Sequence, residues 1–153
     1  MEIERKFLID KLPEDFESYP HHKIEQGYLC TDPAIRIRRQ DDKYIFTYKS
    51  GGLLAREEYN LPLNKEAYEH LKPKADGIII TKTRYKIPFG EYTIELDIFE
   101  GELSPLIAAE IEFPSIEEAN DFKAPEWFGE EVTYDGRYQN SHMSRYGLPG
   151  RAD

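Results

Sequence analysis

The sequence predicts a mainly β (α+β) protein: a closed or nearly closed antiparallel barrel of about eight strands with a few covering helices. Apolar and polar residues alternate with period two along most of the chain. Short turn signals, such as Asp41-Asp42 and Gly51-Gly52, join neighbouring strands as hairpins do. The 153 residues have no linker-like segment, so we expect residues 1–153 to form a single domain.

The alternation and the capping residues locate the individual elements. The predicted strands cover residues 2–9, 23–30, 34–40, 43–50, 54–61, 78–87, 91–99 and 106–114. Asn64 and Ser115 are typical helix N-caps, and Gly147 is typical of a helix end. The predicted helices that follow from these signals cover residues 65–71, 116–122 and 138–146.

The composition excludes several classes of function. A formal charge of −10 argues against nucleic-acid binding, and no run of apolar residues is long enough to cross a membrane. The chain starts without an apolar signal region, and its one Cys fits a reducing compartment, so a cytoplasmic protein is expected. A small-molecule ligand is the expected partner, and a monomer or a homodimer remains open.

The polar faces of the predicted strands carry charges that are sorted by sign. Basic residues dominate the third, fourth and sixth strands, acidic residues dominate the seventh and eighth, and the first and fifth are mixed. In strand order these faces carry Glu2, Glu4 and Lys6; Arg36 and Arg38; Thr47 and Lys49; Arg56, Glu58 and Asn60; Lys82, Arg84 and Lys86; Glu95 and Asp97; and Glu110 and Glu112.

A single charged strand face is most simply a solvated sheet surface. Seven such faces sorted by sign are better explained by a binding site, because like charges opposite each other destabilise an exposed sheet. Arginine and lysine side chains would bind phosphate oxygens, and carboxylates suit Mg²⁺ or Mn²⁺. The alternation alone leaves open whether the charged face lies inside the barrel.

The opening Glu2-x-Glu4-x-Lys6 resembles the signature of the CYTH superfamily, the triphosphate tunnel metalloenzymes. The resemblance covers nearly the whole chain, and within the superfamily the chain is most similar to short bacterial inorganic triphosphatases. Its further motifs are Gln26-Gly27-Tyr28-Leu29, Arg36-Ile37-Arg38, Tyr48-Lys49-Ser50, Lys82-Thr83-Arg84-Tyr85, Glu95-Leu96-Asp97, Glu110-Ile111-Glu112, the segment 127–133 and Arg137-Tyr138-x-Asn140.

This resemblance implies an eight-stranded antiparallel barrel whose tunnel holds a triphosphate and a divalent metal, Mg²⁺ or Mn²⁺. It implies phosphate contacts from Lys6, Arg36, Arg38, Lys49, Arg56, Lys82 and Arg84, and metal binding, directly or through water, by Glu2, Glu4, Asp97, Glu110 and Glu112. Glu58 and Glu95 either complete this ring of metal-binding carboxylates or pair with the arginine and lysine side chains. Tyr28 is implied as a proton acceptor steered by Lys6, with a buried, phosphate-binding tyrosine as its alternative role.

The expected activity is metal-dependent hydrolysis of a triphosphate, first of all inorganic tripolyphosphate to pyrophosphate and phosphate. Thiamine triphosphatase, nucleoside triphosphatase and adenylate cyclase activities are the alternatives within the resemblance. A non-catalytic module that binds polyphosphate or an organophosphate is the alternative from another class. Such a module needs the cations but not seven carboxylates.

Overall fold

The structure is a computed structural model that describes residues 1–150; residues 151–153, which the predicted domain includes, lie outside the described residues. The strands are β1 (Glu2–Ile9), β2 (His21–Thr31), β3 (Ala34–Gln40), β4 (Lys43–Lys49), β5 (Ala55–Arg56), β6 (Glu58–Leu63), β7 (Asp76–Phe89), β8 (Tyr92–Phe99), β9 (Ile107–Glu112) and β10 (Phe128–Glu131). The α-helices are α1 (Lys65–Leu71), α2 (Ile116–Asp121) and α3 (Asn140–Tyr146). Short 3₁₀ helices cover Phe16–Ser18, Lys72–Lys74, Gly101–Leu103 and Gly136–Tyr138.

The strands form one antiparallel sheet that curls into a nearly closed barrel. The path runs β1-β9-β8-β7-β2-β3-β4-β6, and β5 returns to pair with β1. Because β5 and β6 are separated only by Glu57, residues 55–63 act as one divided strand that bridges β4 and β1. The ring therefore has eight strand positions, which confirms the predicted architecture.

The structure differs from the predicted elements in a few places. The fifth predicted strand is divided at Glu57 because its first part pairs with β1 and its second part with β4. The short strand β10 was not predicted; it pairs with the end of β1, beyond β5. The third helix begins at Asn140 rather than at Tyr138, which lies in a 3₁₀ helix.

The predicted capping residues have the expected roles. The Asn64 side chain accepts a hydrogen bond from the backbone N–H of Ala67, and the Ser115 hydroxyl accepts one from Glu118. Gly147 ends α3 with a φ of 76°, a conformation that favours glycine.

The outward faces of β1, β7, β8 and β9 form the larger apolar core. Ile94, Leu96 and Ile111 are fully buried there beneath α2 and β10. Phe122, directly after α2, packs against the rings of Phe7 and Phe113 with centroids 6.4 and 5.3 Å apart. An apolar outer face needs such a cover, and here helix α2 and strand β10 supply it.

A second apolar cluster occupies part of the barrel interior, on the same strand faces as the charged residues. Its buried members are Tyr28, Ala34, Ile80, Phe99, Leu103, Ala108 and Met143. Met143 comes from α3, which packs against β7 and β2. The cluster and α3 therefore fill one region of the interior with apolar groups and leave the rest to the charged side chains.

Gly77 at the start of β7 permits this close approach of α3. Its φ is +70°, and a Cβ at this position would lie 2.1 Å from the Ser144 carbonyl oxygen. We expect Gly77→Ala to lower the free energy of unfolding by about 2 kcal/mol or more, through backbone strain and overlap with the helix backbone. Urea denaturation measures the loss.

Gly136→Ala is the matched control. A Cβ at Gly136 would meet no atom within 4 Å. We expect its stability to lie within about 0.5 kcal/mol of the wild type. If the two variants were equally stable, α3 would not pack against β7 as described.

Candidate active site

The charged strand faces line one cavity of about 330 Å³ inside the barrel. This settles the question that the alternation left open: the charged faces point inward and the apolar faces point outward. The predicted site residues that line the cavity are Glu2, Glu4, Lys6, Tyr28, Arg36, Arg38, Lys49, Arg56, Glu58, Arg84, Glu95, Glu110 and Glu112.

One wall of the cavity carries two arginines that have only neutral partners. Arg36 and Arg38 on β3 are 6% and 9% exposed. Arg36 Nη2 donates to Thr47 Oγ1 at 3.3 Å, and Arg38 Nε donates to Gln26 Oε1 at 2.9 Å. Among residues 1–150, no carboxylate forms an ion pair with either guanidinium. The wall therefore carries two buried positive charges that the described protein residues leave uncompensated.

The lack of a negative partner affects the pKa of Arg38. Burial, together with the positive charges of Arg36 and Arg84, lowers the pKa of Arg38 to about 9. Such a depression means that the charged guanidinium is destabilised where it lies. A bound anion would relieve this, and its oxygens could take the guanidinium N–H groups that no described residue accepts.

The facing part of the cavity brings two carboxylates together. Glu4 on β1 and Glu110 on β9 are close enough to share a hydrogen bond. Burial and the negative charge of Glu110 raise the pKa of Glu4 well above its usual value. Although burial raises the pKa of Glu110, the charges of Lys6 and Arg84 hold it well below its usual value. The charged form is thus disfavoured at Glu4 and stabilised by neighbouring cations at Glu110.

A second group of charges lies where β5 and β6 meet β1. Lys49 Nζ lies 3.0 Å from Glu2 Oε1 and 3.3 Å from Glu58 Oε2, while Arg56 is only loosely paired with Glu2 at 3.9 Å. Burial raises the pKa of Glu2 even though Lys49 is adjacent. Glu112 is more exposed, and its pKa is raised by partial burial and by Glu58 and Glu95.

Two predicted site residues do not reach the cavity. Lys82 Nζ and Asp97 Oδ2 are 2.8 Å apart, with side chains 0% and 1% exposed. Asp97 also receives Nε and Nη2 of Arg84 at 2.7 and 2.8 Å. The phosphate contact of Lys82 and the metal contact of Asp97 therefore stay predictions: both groups lie on the interior strand faces but are buried against each other and are not among the residues that line the cavity.

Protonation in this buried group reflects both burial and charge. Burial lowers the pKa of Lys82 to about 7 despite the nearby Asp97. Although burial opposes its charged form, Asp97 and Glu95 raise the pKa of Arg84 well above its usual value. Arg84 thus stays protonated and reaches Glu95 and Glu110 at 3.4 and 3.5 Å.

Lys6 and Tyr28 both line the cavity but do not bond to each other. Lys6 Nζ donates to the backbone carbonyl of Tyr138 at 2.6 Å, and its backbone N–H donates to Thr133 Oγ1 at 2.9 Å. Tyr28 is 4% exposed and lies opposite Arg36 in the β2–β3 pairing. The segment before α3 therefore directs Lys6, while β2 directs Tyr28.

The carboxylates fit a divalent cation whose coordination is completed by substrate oxygens. Among residues 1–150, no three His, Cys, Asp or Glu side chains converge into a complete metal site. The Glu4–Glu110 pair supplies two carboxylate groups within reach of each other. Mg²⁺ is commonly bound by one or two carboxylates together with substrate phosphates, so this donor set suits it.

Sequence reasoning missed several groups that complete the site. Gln26 precedes Tyr28 by two residues and so shares its face, a signal that could have identified it. Asn60, which accepts from Thr47, lay on a predicted charged face but was not counted as a site residue. The Tyr138 carbonyl that holds Lys6 has no side-chain signal at all.

The comparisons with known proteins agree with this geometry. The CYTH domain family matches residues 1–146. The chain belongs to the CYTH family. No helix among residues 1–150 of this CYTH chain is long and apolar enough to cross a membrane.

Curated relatives and a solved structure lie close to this CYTH chain. An "Inorganic triphosphatase" of Nitrosomonas europaea is 43% identical over 149 residues, covering 94% of this chain and 96% of the relative. An "Inorganic triphosphatase" of Acetivibrio thermocellus is 39% identical and covers 93% and 92%. The crystal structure of the inorganic triphosphatase NE1496 matches with a TM-score of 0.71 at 39% identity, over 94% of both chains.

The arginine wall, Arg36 and Arg38, leads us to predict how tripolyphosphate changes the melting temperature. Tripolyphosphate should raise the melting temperature of the wild type, because it supplies the missing negative charge. In Arg38→Met this rise should be largely lost. Without ligand, the variant should lose no more than about 1 kcal/mol, because removing a buried charge offsets the lost Gln26 bond.

Arg5→Met is the control for this variant. Arg5 lies on β1, where Nε and Nη2 donate to Glu131 at 2.8 and 2.6 Å. We expect Arg5→Met to lose about 1–2 kcal/mol yet keep the full tripolyphosphate response. Thermal unfolding with and without ligand measures both effects, and a full response in Arg38→Met would refute the assignment of the wall.

Proposed function

We propose that this protein is a divalent-metal-dependent triphosphatase that hydrolyses inorganic tripolyphosphate to pyrophosphate and phosphate. The observation that carries the proposal is the arrangement of charge in one cavity. Among the described residues, Arg36 and Arg38 have no ion-paired carboxylate, whereas Glu4 and Glu110 lie together on the facing strands. A triphosphate with a bound divalent cation would supply an anion to the arginines and a cation to the carboxylates.

The basic residues are proposed to bind and orient the phosphate chain. Arg36 and Arg38 on β3 and Lys6 on β1 present donors from two different strands, so they fix the chain at several points rather than at one. Lys49 and Arg56 extend this set, although each already contacts Glu2. Holding the reacting phosphate in a fixed place is itself a large part of the acceleration in phosphoryl transfer.

The metal is proposed to lie at Glu4 and Glu110, with Glu2, Glu58, Glu95 and Glu112 nearby as direct or water-mediated ligands. When bound there, Mg²⁺ or Mn²⁺ would offset negative charge on the phosphate oxygens. The carboxylates hold this cation on the side opposite the arginine wall. Asp97 and its partner Lys82 are proposed to act behind the site, where Asp97 fixes the guanidinium of Arg84.

Water is the proposed attacking group, and Tyr28 is its proposed proton acceptor. The phenol lies in the cavity beside Arg36 and close enough to Arg38 to affect its protonation. Lys6, which is held by the Tyr138 carbonyl, is proposed to join substrate binding and to approach Tyr28 once phosphate fills the cavity.

Inorganic tripolyphosphate is preferred over the other triphosphates for two reasons. The close relatives carry the name inorganic triphosphatase, and the cavity is lined mainly by charged and polar side chains. Thiamine triphosphate and nucleoside triphosphates each need an additional site for an organic group. A non-catalytic binding module would need the arginine wall but not a buried carboxylate pair.

We propose that residues 1–153 act as one unit on a small-molecule substrate. A homodimer and a cytoplasmic location remain predictions from the sequence.

Glu4→Gln tests the metal role while keeping the size of the side chain. We expect phosphate release from tripolyphosphate with Mg²⁺ or Mn²⁺ to fall by ~100-fold or more, because one of the two central oxygen donors is neutralised. Metal-free tripolyphosphate binding should be equal or tighter, since position 4 can no longer carry a negative charge. Phosphate release and calorimetric binding measure the two effects.

Glu118→Gln is the control, because Glu118 bonds Tyr92 outside the barrel. It should keep wild-type turnover. The same assay with ATP, thiamine triphosphate and pyrophosphate tests substrate preference. Wild-type protein that binds tripolyphosphate but releases no phosphate with any divalent metal would be a binding module, not an enzyme.

Tyr28→Phe tests the proton acceptor. We expect kcat to fall by ~10²–10⁴-fold with KM nearly unchanged, since general-base assistance contributes about that factor. Tyr92→Phe, on the outer face, should keep full activity. A Tyr28→Phe kcat within a few-fold of the wild type would assign Tyr28 to binding instead.

A further inference from the structure

The barrel interior contains a neutral residue, Gln26, whose side chain is the hydrogen-bond partner of Arg38. The β2–β3 pairing places Gln26 directly opposite Arg38, and the same phase places it two residues from Tyr28 on the interior face. The side chain is 0% exposed, and its Oε1 accepts from Arg38 Nε at 2.9 Å. This single bond leaves both Nη groups of Arg38 without a hydrogen-bond acceptor among the described residues.

Arg84 shows what a charged partner does in the same barrel. Asp97 accepts from Nε and Nη2 of Arg84 at 2.7 and 2.8 Å and lies in an ion pair with it. One edge of that guanidinium is thus occupied and its charge is largely cancelled. Gln26 bonds to the same nitrogen, Nε, of Arg38 but adds no negative charge.

The orientation of the Gln26 amide follows from this bond and has a cost. Turning the amide over would place its NH₂ group against the N–H of Arg38, so the oxygen must face the arginine. The Nε2 atom is then buried without a hydrogen-bond partner among residues 1–150. A buried amide with an unused donor destabilises the fold. Its presence is explained if the site needs an acceptor that is not a carboxylate.

We propose that Gln26 is a positioning residue that determines how strongly the site binds a highly charged phosphate chain. It turns the Nη groups of Arg38 toward the cavity and, being neutral, leaves the positive charge of Arg38 for the substrate. The inference rests on the proposed triphosphate site. It concerns binding, so it can be tested without turnover.

Two variants separate the effect of charge beside Arg38 from the effect of aligning its guanidinium. Gln26→Glu keeps the acceptor but adds a negative charge beside Arg38, so it should weaken metal-free tripolyphosphate binding by about tenfold or more. Gln26→Met removes the acceptor at similar volume and should weaken binding by about fivefold, because the guanidinium keeps its charge but loses its alignment. The expected order of affinity is wild type, then Gln26→Met, then Gln26→Glu.

Glu25→Gln is the matched control for these variants. Glu25 is the neighbour of Gln26 in β2, but its carboxylate bonds Tyr68 and Lys72 outside the tunnel. This control should bind tripolyphosphate as the wild type does. Calorimetric titration without metal gives the dissociation constants, and thermal unfolding shows that each variant is folded.

The kinetic readout distinguishes positioning from a purely structural role. Gln26→Met should raise KM by about fivefold and change kcat by less than about threefold, whereas a structural role would lower only the melting temperature. Binding of Gln26→Glu within twofold of wild type, or an unchanged KM in Gln26→Met, would overturn the proposal. If Gln26→Glu does not fold, the KM of Gln26→Met decides alone. Failure of wild-type hydrolysis would instead contradict the proposed function and leave the binding order to be judged separately.

Discussion

The structure depends on one electrostatic constraint: among the described residues, two arginines buried inside the barrel have no ion-paired carboxylate. Arg36 and Arg38 donate only to neutral oxygens, and on the facing strands Glu4 lies against Glu110. Removing such groups from water is costly, so an arrangement of this kind opposes folding rather than favouring it. The explanation we propose is a ligand that completes the charge balance, with anionic oxygens on one side and a cation on the other.

The antiparallel barrel is suited to this arrangement because of its pleat. Each strand sends alternate residues inward, so charges on neighbouring strands become fixed neighbours in the cavity. The apolar half of each strand then faces outward and needs a cover. Around Leu96 and Ile111 the cover is α2 with β10, whereas part of the interior is filled from α3 by Met143. Stability thus comes from the outer core, and the inner face is free to carry charge.

Much of the site could be predicted from the sequence because strand alternation assigns residues to faces. It correctly grouped Arg36 with Arg38 and placed Glu110 among the acidic strands. It could not assign depth: Lys82 and Asp97 lie on the same interior faces but form a buried pair that is not among the residues lining the cavity. Depth depends on how far each strand is shifted against its neighbours, and a single sequence does not contain that register.

Other features of the fold and the site were not predicted from the sequence, for different physical reasons. Strand β10 is four residues long and mostly polar, so it has too little pattern to recognise. Gln26 carries no charge and was overlooked among ionisable residues, although its position is as fixed as that of Tyr28. The backbone carbonyl of Tyr138 can be placed only once the chain has folded back over β1.

The most direct test of the account is a crystal structure of the protein with tripolyphosphate and Mn²⁺, in which anomalous scattering locates the metal. The account predicts Mn²⁺ in contact with Glu4 and Glu110, phosphate oxygens within hydrogen-bond distance of Arg36 and Arg38, and a Lys82–Asp97 pair that touches neither. Mn²⁺ bound away from both carboxylates, or a phosphate chain that leaves the two arginines unpaired, would contradict it.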